Sequence, residues 1–281
     1  MPAPLGQLLH QSLMHLRTHI ITIAVAAVVL GLLTATSQGM VAQRIHGGAA
    51  EMMQQAQLDP QKIDELQKRM QAGDPRAAQE MQAMVEKGFS GMNKEQASAA
   101  MAGIGMKLFL QSLPLVATSI FIMILLSLLA SYYYFFVTLD SGSVQDVLRR
   151  TFENLFPLLG LSVWVFLRSF IWIPLVGIII AIIIGPRFVL SNVILIKEKR
   201  GITESVRESY KRTEGFWGKI VGNMIVASVI GWVVLFVTSM VLGLLGRPIA
   251  GFVSPIIAQG VVAFLVIFRT KLALNLMGQK V

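Results

Sequence analysis

The sequence predicts an all-α, polytopic helical membrane protein of about six transmembrane helices. A small helical extracytoplasmic cap and amphipathic helices at the cytoplasmic surface complete it. Three observations carry that prediction. Of 281 residues, 54% are hydrophobic and only 14% charged, where an ordinary soluble domain carries roughly 25% charged residues. The apolar residues gather into runs close to the ~20 that a bilayer-crossing helix needs. Lysine and arginine are spread unevenly between the segments that join those runs, which sets orientation.

The first run spans residues 19–35 and ends in "LLTATSQG". It reads as an uncleaved signal anchor, because a cleavage site would want small residues there. The second lies in "LPLVATSIFIMILLSLLASYYYFFVTL", residues 113–139. It closes on Tyr132, Tyr133, Tyr134, Phe135 and Phe136, rings suited to the headgroup level of a membrane. Further runs follow at 152–167, 173–196, 220–246 and 249–268, the first of these short and interrupted by Pro157.

With the N-terminus inside, segments 1–18, 139–153, 197–219 and 269–281 hold thirteen Lys/Arg, and the short outer turns hold only Arg168 and Arg247. The expected arrangement is a multi-pass protein of the cell (inner) membrane, with both termini cytoplasmic. The net charge of +9 is then a topology signal and an attraction to anionic lipid, and nucleic acid is not an expected partner. The absence of cysteine excludes disulfides, thiolate metal sites and thiol nucleophiles.

Three regions follow: 1–36, a tail and first crossing; 37–107, a Met/Gln-rich helical segment; and 108–281, a five-helix membrane domain. In 37–107, Asp59 and Asp74 precede Pro60 and Pro75, and Gly73 and Gly88 follow. That is the punctuation of two short helices, and a third begins after Asn93. The segment holds nine of fifteen methionines, including Met52, Met53, Met81 and Met84. Thioethers bind Cu(I), but the better reading is packing or contact with a protein partner through 40–104. His15 and His19 share a helix face and could hold a metal; headgroup-level histidines are the commoner case, and neither a metal nor another cofactor is expected.

Arg168 and Arg187 interrupt the most apolar stretch of the chain. Arg168 reads as an outer-turn residue reaching headgroups, or as an anion contact facing the bundle. Arg187 lies nine residues before the end of its run, roughly 13 Å deep by helical rise. A cation there costs about 2.5–3.5 kcal/mol unless paired or wet. Either Pro186 breaks the helix and Arg187 snorkels to the inner surface, or Arg187 contacts an anion together with Asn192. Ala27, Gly31 and Ala35, and likewise Gly177, Ala181 and Gly185, recur every four residues and mark close helix-packing faces.

Surface helices are expected near 143–152, capped by Ser143, and near 203–213, capped by Thr203. The second would lie on the membrane through Val206, Tyr210, Lys211, Arg212 and Trp217. From about 140 to 245 the chain resembles the membrane domain found beside glycerophosphoryl diester phosphodiesterases, and related uncharacterised bacterial integral membrane proteins. The resemblance rests on "KEKRG" followed by "ESYKRTEGFW", with Glu198, Gly201, Ser209, Gly215 and Trp217 in the matching places. The hydrolase barrel of that family is absent and no catalytic residue carries over.

No paired carboxylates, Ser/His/Asp set or metal motif lies within a run, so no enzyme is expected. Two functions stay open. One is a non-enzymatic protein that organises or assists other envelope components, with the lipid bilayer, protein partners and a homo-oligomer as its contacts. The other is a transporter or lipid-handling protein that uses Arg187 to contact an anionic group.

Overall fold

A computed structural model describes residues 3–55, 60–71, 74, 76–77, 79–80, 83, 94–140, 142–170, 185–244 and 246–278. Among these the chain is helical and carries no strand. It divides into two compact units, residues 1–35 with 124–281, and residues 36–123. Of the sequence expectations, the run 173–184, Gly177 and Ala181 lie outside the described residues. So do Asp59, Gly73, Pro75, Met81, Met84, Gly88 and Asn93.

Helix α1 (Leu5–Thr18) meets α2 (Ile20–Gln55) at His19. Among the described residues, four helical segments are long and apolar enough to cross a membrane: Ile20–Met40, Leu113–Asp140, Trp217–Leu244 and Ile249–Leu276. In unit 36–123, α3 (Pro60–Gln71) begins at the anticipated proline. Asp74 starts the next turn, its carboxylate accepting the Arg76 N–H at 2.9 Å. Arg69 clips the two together, 2.7 Å from Asp74 and 3.0 Å from Glu80. Helix α4 (Lys94–Asp140) then runs without a break from this unit into the second crossing segment.

The aromatic end of α4 lies in the core of the other unit, so the rings expected to meet headgroups meet protein. Every residue from Tyr132 to Thr138 is buried. A helix buried all round must be surrounded by other elements, and hydrogen bonds identify them. The Tyr132 hydroxyl donates to the Leu158 carbonyl at 2.9 Å, and the Tyr133 hydroxyl to the Thr22 carbonyl at 3.2 Å. His15 of α1 meets the Val137 carbonyl at 3.2 Å. Protein, rather than water, thus satisfies these polar tips.

Helix α5 (Val144–Glu153) has a full capping box, with Ser143 and Asp146 each bonding the other's backbone N–H. It leads to α6 (Leu155–Phe170), shorter than the four crossing segments. The run expected to span 173–196 is interrupted at Pro186 by a 3-10 turn, Gly185–Phe188, before the short α7 (Ser191–Lys197). Proline lacks the N–H that would continue the ladder.

Helix α8 (Ile202–Arg212) is capped by Gly201, so Thr203 stands in its first turn and is not the cap. Gly215 turns the chain at φ 81° into α9 (Trp217–Leu244). Helices α9 and α10 (Arg247–Leu276) form a hairpin through Gly246, whose φ is 92°. Gly231 lets them close, since a Cβ there would come 2.9 Å from the Val261 side chain. Of the small-residue face on α2, Ala27 and Gly31 are buried and Ala35 half-buried, and Gly31 lies directly against the Ile256 backbone.

Candidate ligand cavities around Arg269 and Arg168

Of the apolar face expected on α8, Val206 is buried while Tyr210 is exposed. Ser205, Val206 and Ser209 are buried against α6, α7 and the 3-10 turn. Ser209 fastens that turn: its hydroxyl donates to the Arg187 carbonyl at 2.6 Å and accepts the Leu190 N–H at 3.2 Å. Thr213 adds a longer bond to the same carbonyl at 3.4 Å.

A knot of charges closes the other side. Glu198 accepts from Arg212 at 2.5 Å and lies 2.9 Å from Arg200. Arg212 also holds Glu208 at 2.8 Å, and Arg200 holds Glu204 at 3.0 Å. The Arg212 guanidinium, helped by Arg200, holds the Glu198 carboxyl below its ordinary range. Arg212 is thus an ion-pair hub, Lys211 is exposed, and Trp217 opens α9 at partial exposure.

Two cavities flank Phe188. The first, about 710 Å³, is walled by α6, the 3-10 turn, α7 and α9. Leu161, Val165, Phe166, Val229 and Trp232 make it largely apolar; Ser162, Ser191, Asn192 and Ser228 supply polar groups. Its cation is Arg269 of α10. Arg187 does not line it, so the expected partnership of Arg187 with Asn192 gives way to Arg269 with Asn192. Arg269 is accessible and makes no ion pair or hydrogen bond among the described residues. Trp232 is 75% exposed, which joins this cavity to the apolar outer face of α9.

Sequence reasoning placed Arg269 at the first position of a cytoplasmic tail. The signal it overlooked is the apolar continuation Leu272, Ala273, Leu274 and Leu276, which carries α10 past the arginine by seven residues. That puts Arg269 roughly 10 Å inside the helix end.

The second cavity, about 530 Å³, is lined by Trp164, Arg168, Phe188, Thr203, Val206, Arg207 and Tyr210. Arg168 stacks on Trp164 at 5.1 Å, and Arg187 stacks on Tyr210 at 4.3 Å. Arg168 therefore lies beside α8, not on an outer turn remote from it.

No protein-family model, curated protein or solved structure matches the chain. Chemistry alone must therefore indicate function. Among the described residues no group of three His, Asp or Glu side chains is placed to hold a metal. His15 and His19 stack with ring centroids 4.4 Å apart.

Proposed function

We propose that this chain is a non-enzymatic, multi-pass protein of the inner membrane that binds an anionic amphiphile in the cavity at Arg269. One observation carries the reading: an accessible arginine, without a carboxylate partner among the described residues, stands in a largely apolar cavity within a crossing segment. A cation at such a place costs about 2.5–3.5 kcal/mol unless something compensates it. Ligand sites are commonly built this way, apolar walls with a few polar groups that fix orientation. A molecule with one anionic group and a hydrocarbon body satisfies both parts, and Trp232 offers it a lateral way in from lipid.

This is the lipid-handling function with Arg269 in the role first given to Arg187. Six crossings would put Arg168 and Arg207 on opposite sides of the bilayer; their shared cavity favours four. Either number is even, so both termini lie on one side, which the Lys/Arg bias makes cytoplasmic. Residues 37–107 are then extracytoplasmic. The resemblance to phosphodiesterase-associated membrane domains fits a lipid neighbourhood without supplying a reaction.

The test is native mass spectrometry of the protein released from detergent. Wild type should retain one more anionic lipid than Arg269→Gln, with neutral lipid equally scarce on both. Equal retention by both proteins would overturn the reading. The organising role keeps one support of its own, the separate compact unit 36–123. Deleting residues 40–104 should then abolish partner co-purification.

A further inference from the structure

The arginines of this unit fall into two groups. Arg149, Arg150, Arg200 and Arg212 each hold a carboxylate: Glu153, Asp140, Glu198 with Glu204, and Glu198 with Glu208. Arg17, Arg168, Arg187, Arg207 and Arg269 hold none among the described residues, and three of these, Arg168, Arg187 and Arg207, lie at or beside the cavity between α6 and α8. Arg168 and Arg207 line it, and Arg187 lies on the ring of Tyr210, which lines it too. The acids closest along α8, Glu204 and Glu208, are committed to Arg200 and Arg212. Two like charges therefore line the cavity with a third beside it, and among the described residues no carboxylate lines it.

From this geometry we propose that the cavity is a binding site for a phosphate group carrying at least two negative charges, a phosphomonoester or diphosphate. The site stands apart from the Arg269 cavity across Phe188 and does not depend on its reading. A guanidinium stacked on an aromatic face is held in one plane by cation–π attraction. Its N–H edge remains free to meet two phosphate oxygens at once, the pairing arginine makes best. Trp164 and Tyr210 hold Arg168 and Arg187 in this way. Thr203 completes the donor set. Because Gly201 caps α8, the Thr203 hydroxyl is released from capping, and it lines the cavity with no protein hydrogen bond among the described residues. Phe188, Val206 and the two rings form dry walls that strengthen such charge-assisted bonds. The phosphate can arrive on a membrane lipid or from solution.

The test uses the full-length protein in nanodiscs of phosphatidylcholine, with and without phosphatidic acid, reading bound lipid by native mass spectrometry. Inorganic pyrophosphate serves as the soluble competitor. Wild type should prefer phosphatidic acid to phosphatidylcholine. Set in an Arg269→Gln background, so that the other cavity does not contribute, Arg168→Gln with Arg207→Gln should weaken that binding by at least about tenfold, the loss of one charge-assisted pair. Arg149→Gln with Lys219→Gln, which removes equal charge elsewhere, should leave it unchanged. Competition by pyrophosphate would assign a soluble source, and its failure against a retained lipid preference would assign the lipid; the site stands in both cases. Unchanged binding in the cavity double variant, or an equal loss in the control, would overturn it. Arg207→Gln alone, at an exposed position of α8, gives the same answer if the double variant does not fold.

Discussion

Ser209 and Arg187, twenty-two positions apart, are joined by a 2.6 Å hydrogen bond from hydroxyl to backbone carbonyl. That bond seats the 3-10 turn on α8. It gives a physical role to the serine and tryptophan-bearing segment that carried the sequence resemblance. Ser209 shapes the wall the two cavities share, and Glu198 ties the preceding loop to the same helix.

Ser209→Ala leaves the buried Leu190 N–H without an acceptor, while Thr213 partly covers the Arg187 carbonyl. An orphaned buried donor costs about 1–3 kcal/mol. The expected result is a lower thermal midpoint in detergent, together with weaker ligand retention at both cavities. An unchanged midpoint would mean that the turn is held by packing alone.

Gly31→Ala tests the α2–α10 contact. The new Cβ would stand 2.7 Å from the Ile256 Cα, so backbone has to move, at about 1–3 kcal/mol for overpacking. Gly222→Ala, with nothing within 4 Å of its Cβ, should instead be neutral or stabilising by up to about 1 kcal/mol. Equal midpoints for both variants would refute the close approach.

His15 should make stability fall in mild acid. Burial, then the Lys271 ammonium and His19, push the His15 imidazole down to about 4 from an ordinary 6.5, against the opposing Val137 carbonyl. Above 6.5 both states are neutral and nothing changes. As pH falls from 6.5 towards 4 the unfolded chain takes the proton first, so stability drops. His19 is lowered by burial and Lys271 as well and adds to the drop. In thermal scans between pH 7 and 4, His15→Asn should flatten part of this slope.

Glu198 acts in a lower window. Its carboxyl, depressed by Arg212, contributes stability at neutral pH that is lost as pH falls below the ordinary carboxylate range and through its own lowered value. Glu198→Gln should lower the midpoint at pH 7 and weaken the acid limb without altering the His15 window. A double-mutant cycle with Arg212→Gln measures the coupling, expected near 1 kcal/mol for a partly exposed pair.

The helical class and the long apolar segments were legible in the sequence, because a bilayer demands consecutive apolar residues whatever the neighbours are. Local signals were equally plain: Ser143 and Asp146 close their own capping box, and Pro186 breaks its run. Gly31 announced a close contact, although only the fold named Ile256 as its partner.

Inward and outward faces were decided by tertiary structure. Tyr132 to Phe136 suit headgroups by composition, yet they are buried among other helices, which accept the hydrogen bonds of Tyr132 and Tyr133. The arginine that shares a cavity with Asn192 was hidden for the same reason. An arginine's cost depends on what lies beside it in space, and the chain places Arg187 on Tyr210 while Arg269, far along the sequence, lines the cavity with Asn192. Spacing along a helix determines which residues share a face; only packing between helices determines what that face meets.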